Sequence, residues 1–134
     1  MEMRKVVIAG AARTAMGGFQ GVFSGIAAAE LGGAAIRAAL TGISTDLVEE
    51  VLMGCVLPAG QGQAPARQAG FAAGLSQSVP ATTLNKMCGS GMKAAMIAHD
   101  QIALGNTGVM VAGGMESMSG APYLLPKMRG GARL

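Results

Sequence analysis

The sequence predicts a layered α/β fold built on a largely parallel sheet. Strand-like and helix-like segments alternate along the 134 residues, which is the order of elements found in proteins of this class. The first strand-like run, residues 5–9, is apolar on both faces. A run of that kind is typical of a central strand in a parallel sheet that helices cover on both sides.

The first part of the chain is predicted to continue with a connection, a helix and a second strand. Residues 10–25 are rich in glycine and form the connection. Ser24 is a residue type that caps helices, and we expect it to open a helix over residues 26–40. The apolar residues 51–57 form the second strand, which is expected to be as buried as the first.

Two helices and two more strands are predicted further along. A helix over residues 65–74 opens with proline, which suits the first helical position. Residues 81–84 form a short third strand, and a long helix follows over residues 88–104. Residues 109–112 form the fourth strand, whereas the glycines and prolines of residues 115–134 predict a loop.

The long helix over residues 88–104 is predicted to be mostly buried. Its polar side chains Lys93, Asp100 and Gln101 share one side at 100° per residue. The opposite side carries mainly small and apolar side chains and is expected to pack against other protein. It consists of Met92, Ala95, Met96, His99, Ile102 and Ala103.

The composition predicts that much of the surface is covered by other protein. Charged residues make up 13% of the chain, about half of the roughly 25% typical of soluble domains. A chain this small has a high ratio of surface to volume and needs a polar coating if it stands alone. We therefore expect extensive contact with a partner; an aggregation-prone but complete domain is the alternative.

The charge pattern and the cysteine count exclude several classes. The net charge is +3, the basic residues are scattered, and aromatic residues make up 3% of the chain, so nucleic acid is not an expected partner. No run approaches the ~20 apolar residues of a membrane span. The two cysteines form neither a disulfide framework nor a metal-binding spacing. A reducing compartment is expected, the cytoplasm or an organelle matrix.

Cys88 is the candidate nucleophile. It lies between the third strand and the long helix, where helix N–H groups would favour its thiolate form. From the pattern alone a buried structural cysteine or a redox cysteine remains an alternative. The backbone N–H of Cys88 and its neighbours could bind an oxyanion.

The base that would activate Cys88 is not expected in this chain. His99 is the single histidine, and 11 residues of helix would place it about 16 Å from Cys88, so we expect a structural histidine that faces neighbouring packing. Cys55, inside a predicted strand, is expected to be a buried structural residue. Arg13, Arg67 and Glu116 follow turns and are expected to brace loops or a subunit contact.

Several motifs together resemble the N-terminal part of the thiolase family, the acyl-CoA C-acyltransferases. Asn85–Gly91 reads Asn-Lys-Met-Cys-Gly-Ser-Gly, and Ala112–Ser119 reads Ala-Gly-Gly-Met-Glu-Ser-Met-Ser. These two are specific in combination. Supporting matches along the chain are Ala11–Thr14, Met53–Val56 and Gly62–Gln68.

The resemblance implies a fold, a reaction and a division of the chain. The fold would be a mostly parallel mixed sheet with helices on both faces, incomplete because its last strand comes from a later part of the family's sequence. Cys88 would carry an acyl group, by preference acetyl, as a thioester in the reversible condensation or thiolysis of acetoacetyl-CoA or a longer 3-ketoacyl-CoA. Residues 1–116 would form part of the N-terminal domain, and residues 117–134 would begin the cap and tetramerisation loop.

The resemblance also implies what must be added from outside. The histidine base, a second cysteine and most of the CoA-binding cap lie downstream in the family. The expected partners are CoA and acyl-CoA substrates, a complementary C-terminal segment and further copies in a homodimer or tetramer, in cytoplasmic fatty acid metabolism and with no cofactor. An inactive truncated fragment that serves as an assembly module is the first alternative. A thiol redox protein using Cys55 and Cys88 is the second.

Overall fold

A three-stranded parallel sheet forms the centre of the fold. In the computed structural model, which describes residues 4–131, the strands are β1 (Glu50–Gly54), β2 (Ala81–Leu84) and β3 (Met110–Gly114), in the order β2–β1–β3. Val51 of β1 pairs with Ala81 on one side and with Val111 on the other. The predicted parallel sheet is therefore confirmed, with β1 in its centre.

Three helices cover the sheet, and each begins within two residues of its predicted start. They are α1 (Ala28–Ala39), α2 (Pro65–Ala73) and α3 (Ser90–Ala103). Proline opens α2 as expected, because its missing N–H costs nothing in the first turn. Ser24 does not cap α1, which begins after Ala27 without a side-chain cap. Short 3₁₀ turns occupy Thr45–Leu47 and Pro126–Gly130.

The helices lie on both faces of the sheet, as successive residues of β1 show. Val51 and Met53 belong to a buried cluster with the apolar residues of α1 and α2. Leu52, which points the other way, packs with Ala94 and Ala98 of α3. The expected covering of both sheet faces by helices is confirmed.

Small residues let α1 and α2 approach each other closely. A Cβ atom added to Gly33 of α1 would lie 2.5 Å from the Cβ of Ala72 in α2. That separation is too short for two carbon atoms, so the backbone of α1 can be this close only with glycine at position 33. The two helices pack against the face of the sheet that carries Val51 and Met53.

The strand predicted at residues 5–9 is wrong for the part of the chain that the structure describes. This segment has no regular secondary structure, and Val7 and Ile8 are 72% and 89% exposed. Its neighbour Arg4 donates its N–H to the carbonyl of Ala103 at the end of α3, not to a strand. An apolar run predicts burial, but a strand also needs a hydrogen-bonded neighbour, and none of the three strands supplies one here.

Two other strand boundaries differ from the prediction. β1 ends at Gly54, three residues earlier than expected, because residues 56 and 57 leave the ladder and donate their N–H groups to Glu116, which follows β3. β3 extends to Gly114 and so includes the glycine pair that follows the predicted strand over residues 109–112. The predicted division of the chain into residues 1–116 and residues 117–134 stays a prediction. Residues 1–3 and 132–134, at the outer ends of these two regions, lie outside the described residues.

The prediction that α3 is mostly buried is wrong for residues 4–131. The side of α3 that faces the sheet is buried at Ala94 and Ala98. The opposite side, here called the outer face of α3, is exposed at Met92, Ala95, Met96 and His99. The helix is apolar on two sides, but within the described residues only one of these sides packs against the sheet. No helix in these residues is long and apolar enough to cross a membrane.

Candidate functional site

Cys88 lies in a tight turn between β2 and α3. The helix begins at Ser90 with Gly89 as its N-cap, so Cys88 precedes α3 and does not open it as predicted. Met87, directly before the cysteine, has a left-handed backbone with φ +51°, which is uncommon for a residue with a side chain. Cys88 itself is exposed. The turn therefore presents the thiol at the end of the sheet where α3 starts.

Side chains on both sides of the turn hold this conformation. The Oδ1 atom of Asn85 accepts the N–H of Met87 at 2.9 Å. The hydroxyl of Ser90 accepts the N–H of Lys86 at 2.8 Å and donates to the carbonyl of Met87 at 2.6 Å. Ser90 is buried, although serine is usually exposed, because both of its hydrogen-bonding roles are filled.

Cys88 lines a cleft of about 520 Å³ at the carboxyl ends of the strands. In a parallel sheet these ends meet at one edge, so the segments that follow β1, β2 and β3 come together there. The segment after β1 contributes Val56 and Leu57, and that after β3 contributes Glu116 and Met118. Apart from Glu116, the side chains around the thiol are largely apolar, which suits a ligand with an apolar portion.

Gly54 fixes the distance between the sheet and the start of α3. A Cβ atom added to Gly54 would lie 2.5 Å from the Cβ and 2.8 Å from the carbonyl carbon of Ser90. On the next strand, a Cβ atom added to Gly114 would lie 3.3 Å from the Cα of Gly91. The first turn of α3 thus rests on two backbones that carry no side chain, and Cys88 is held close to the strand ends.

The carboxylate of Glu116 joins the segments that follow β1 and β3. It accepts the N–H of Val56 at 2.9 Å and the N–H of Leu57 at 3.1 Å. The thiol of Cys55 lies 3.5 Å from the same carboxylate, and the amide of Gln61 donates to the Cys55 sulfur at 3.3 Å. Two backbone N–H groups that leave the β1 ladder are satisfied in this way. The predicted bracing role of Glu116 is confirmed.

Cys55 is a buried structural cysteine, as predicted. Its exposed fraction is 1%, and the structure does not bond it to Cys88. Burial raises the pKa of the Cys55 thiol, and the negative charge of Glu116 beside it raises that pKa further. A thiol held in its protonated form is a poor nucleophile, which argues against the redox alternative.

The raised pKa of Cys55 predicts a loss of stability in alkaline solution. Because the folded pKa lies above the unfolded value of 9.0, the folded state holds the proton more tightly. The free energy of unfolding should be unaffected by this thiol below about pH 9 and fall above it, by at most about 1.4 kcal/mol per pH unit. Urea unfolding of the chain and of Cys55→Ala with a reductant should show the fall in the first and not in the second. Parallel curves would contradict the prediction.

The other predicted site residues lie outside the cleft. His99 belongs to the outer face of α3, where its side chain is 60% exposed and lies 3.1 Å from Asp100, so the expected packing around it is wrong for the described residues. Arg67 donates to the carbonyls of Val79 and Gln77 and so braces a loop, as expected. Arg13 is exposed, and its role stays a prediction. Residues 4–131 contain no group of three His, Cys, Asp or Glu side chains placed to hold a metal ion.

The part played by Asn85 was not predicted, although the sequence holds a signal for it. Asparagine commonly accepts the N–H of the residue two positions later and so starts a turn, which is what Asn85 does with Met87. The contact of Glu116 with residues 56 and 57 spans about half of the chain, and no local pattern predicts it.

Cys88 is exposed at a strand-to-helix turn, at the carboxyl ends of a parallel sheet. The fold and the site together define a layered α/β protein with a candidate nucleophilic cysteine. A family model described as the N-terminal domain of thiolase matches residues 6–134. The match spans nearly the whole sequence, so the chain belongs to the thiolase family, and the resemblance of its motifs is confirmed.

Similar proteins are named as acetyl-CoA acetyltransferases. The mitochondrial acetyl-CoA acetyltransferase B of Xenopus laevis is 55% identical over 127 residues, which are 93% of this chain and 30% of that protein. The acetyl-CoA acetyltransferase of Pseudomonas aeruginosa is 54% identical over 134 residues, or 98% of this chain and 34% of that protein. Acetyl-CoA acetyltransferase 2 of Arabidopsis thaliana is 55% identical over 97% of this chain and 33% of its own length. The chain thus spans about a third of these relatives.

Proposed function

We propose that this chain is the nucleophile-bearing N-terminal part of a thiolase and that Cys88 carries an acetyl group between CoA thioesters. The observation that carries the proposal is the position of Cys88, exposed at a turn and lining an apolar cleft in a chain of this family. The names of the relatives favour acetyl over longer acyl groups. Longer 3-ketoacyl-CoA substrates in fatty acid metabolism remain the wider class.

The proposed reaction proceeds in two transfers at the sulfur of Cys88. The thiol first gives its proton to a base outside these residues, and the thiolate attacks the carbonyl carbon of acetyl-CoA. The bond from that carbon to the CoA sulfur breaks, and the CoA thiolate takes up the proton. A base outside these residues removes a proton from the methyl carbon of a second acetyl-CoA, and the resulting enolate attacks the acetyl group on Cys88. Acetoacetyl-CoA forms, and Cys88 leaves as a thiolate that takes up a proton. In the opposite direction the Cys88 thiolate attacks the 3-keto carbon, the bond from that carbon to the 2-carbon breaks, and the acetyl-CoA enolate leaves and takes up a proton. The thiolate of free CoA then takes the acyl group from Cys88.

The turn supplies a place for the negative charge that forms on the thioester oxygen. Within it, the N–H groups of Met87, Gly89 and Ser90 already donate to partners in the turn. The N–H of Cys88 is proposed as one donor to the oxyanion, beside the nucleophile that creates it. A second donor, the base and most of the CoA site are proposed to come from the remaining part of a thiolase, in a homodimer or tetramer. The cytoplasm is the proposed location, although the Xenopus relatives are named mitochondrial.

A fusion protein tests this proposal directly. The chain would replace the matching first third of the Pseudomonas aeruginosa relative, and the fusion and the 134-residue chain alone would be mixed with acetyl-CoA. Intact-protein mass spectrometry with peptide mapping should locate an acetyl group on Cys88 of the fusion within seconds, and only background labelling of the chain alone. A fusion that folds as a thiolase oligomer but leaves Cys88 unacetylated would disprove the proposal.

The assembly-module alternative has one observation in its favour. Met92 and Met96 on the outer face of α3 are 74% and 53% exposed, and other large apolar side chains are exposed elsewhere. An exposed apolar surface of this kind marks a contact with other protein. The alternative predicts that Cys88→Ser keeps every partner and that acetylation never occurs, so the fusion experiment separates it from the thiolase proposal.

A further inference from the structure

Glu116 and Asn85 hold the same short segment from opposite directions. The carboxylate of Glu116 accepts the N–H of Val56 at 2.9 Å. The carbonyl oxygen of Val56 lies 3.4 Å from the Nδ2 atom of Asn85, which donates to it. Residue 56 lies in the segment that follows β1, so a residue after β3 and a residue after β2 meet on it.

Asn85 connects the segment after β1 to the turn that contains Cys88. While its Nδ2 atom faces Val56, its Oδ1 atom accepts the N–H of Met87 at 2.9 Å. Met87 has the left-handed backbone that precedes Cys88. A residue with a side chain keeps this conformation only when its surroundings hold it there. The orientation of the amide of Asn85 therefore bears on the backbone that sets the direction of the thiol.

We propose that Glu116 is a positioning residue for Cys88 and acts on it through Val56 and Asn85. The inference rests on the proposed function, in which Cys88 receives the acetyl group. The carboxylate of Glu116 accepts the N–H groups of Val56 and Leu57, so the role assigned to it is support and not contact with the reacting atoms. Its carboxylate fixes Val56, Val56 orients the amide of Asn85, and Asn85 holds Met87 so that Cys88 faces the cleft.

The size of the effect follows from the geometry that acyl transfer needs. A displacement of about 1 Å in a group that must meet a reacting carbon can lower a rate by about 10²-fold. Losing one of several supports should shift the turn less than that. We therefore expect about a tenfold loss in the rate of Cys88 acetylation for each conservative change in the chain of contacts, with a smaller change in the KM for acetyl-CoA.

A double-mutant cycle tests whether the two residues act as one path. Glu116→Gln removes the charge and leaves an amide that can accept only part of the two N–H contacts. Asn85→Asp keeps the acceptor for Met87 and removes the donor to Val56. Glu30→Gln, on the exposed side of α1, is the matched control for the loss of a carboxylate. Single-turnover acetylation of Cys88 would be measured in the unchanged fusion, in the three single variants and in the double variant of Glu116 and Asn85.

If the path exists, each single variant loses about tenfold, and the double variant loses about the same, because the second change interrupts a path already broken. Glu30→Gln keeps the original rate. Losses that multiply to about 10²-fold would show independent effects and overturn the inference, as would single variants with the original rate. A thermal midpoint for each protein separates a slower reaction from unfolding. If Glu116→Gln does not fold, Asn85→Asp alone decides, and an undiminished rate in it overturns the inference.

A second measurement does not depend on the proposed function. Alkylation of Cys88 by iodoacetamide would be followed in the same variants of the full 134-residue chain, with the buried Cys55 as an internal measure of folding. If the fusion is never acetylated, the proposed function fails, and the positioning inference is then judged on alkylation. Rates of Cys88 that change in each single variant without further change in the double variant support it. Identical rates in all variants, with Cys55 still protected, overturn it.

Discussion

Replacing Cys88 by alanine in the fusion should lower acetyl transfer by on the order of 10³-fold or more, while the free energy of unfolding changes little. The large effect is expected because a thioester cannot form without the sulfur, and the condensation would then need both CoA esters to react in one step. The small effect on stability is expected because the thiol is exposed and makes no described hydrogen bond that supports the turn. Formation of acetoacetyl-CoA, followed by absorbance, and urea unfolding measure the two quantities.

Cys55→Ala is the matched cysteine control for this experiment. It removes the other sulfur of the chain, which is buried beside Glu116 and does not line the cleft. We expect it to retain acetyl transfer and to lose some stability, because a buried side chain is shortened. Acetyl transfer that survives in Cys88→Ala and vanishes in Cys55→Ala would reverse the assignment of the two cysteines.

Gly54→Ala is expected to be the most disruptive single-carbon addition near the site. The added Cβ would lie 2.5 Å from the Cβ of Ser90 and 2.8 Å from its carbonyl carbon, so the backbone at the start of α3 has to move. Overpacking of this kind should lower the free energy of unfolding by about 1–3 kcal/mol. Because Cys88 is two residues from Ser90, acetylation of Cys88 in the fusion should also slow, by on the order of 10²-fold.

Gly25→Ala provides the comparison for that substitution. A Cβ atom added to Gly25 would meet no atom within 4 Å, and its backbone does not have the left-handed conformation. We expect stability and acetylation close to those of the original protein. Equal behaviour of the two alanine variants in urea unfolding and acetylation would show that β1 and α3 are not held at the distance seen here.

The outer face of α3 relates the composition to the structure. The low charge of the sequence predicts apolar surface that is covered by other protein, and Met92 and Met96 on this face are exposed in the described residues. The prediction that α3 is mostly buried was wrong because it took these apolar side chains to be covered within the described residues. Hydrophobic periodicity shows which side chains need cover, but it does not show whether the cover belongs to the same segment of chain.

The strands illustrate the same limit. The segments at residues 51–57 and 81–84 predicted strands that the structure shows at Glu50–Gly54 and Ala81–Leu84, and the alternation of strands with helices predicted a largely parallel sheet. Residues 5–9 have an equally apolar pattern but hydrogen-bond to none of the three strands. Side-chain pattern is local, whereas a strand is completed by the backbone of a neighbour that is distant in sequence.

The sequence by itself determined the order of the elements from α1 onward, the turn that holds Cys88 and the family to which its motifs belong. These depend on residues close together in the chain: proline at the start of α2, the glycines around Cys88 and the alternation of apolar runs. Only the tertiary structure decided that Glu116 reaches Val56 and that Gly54 supports Ser90. Both contacts join segments that meet because parallel strands end at a common edge, and that meeting is a property of the folded sheet and not of any local stretch of sequence.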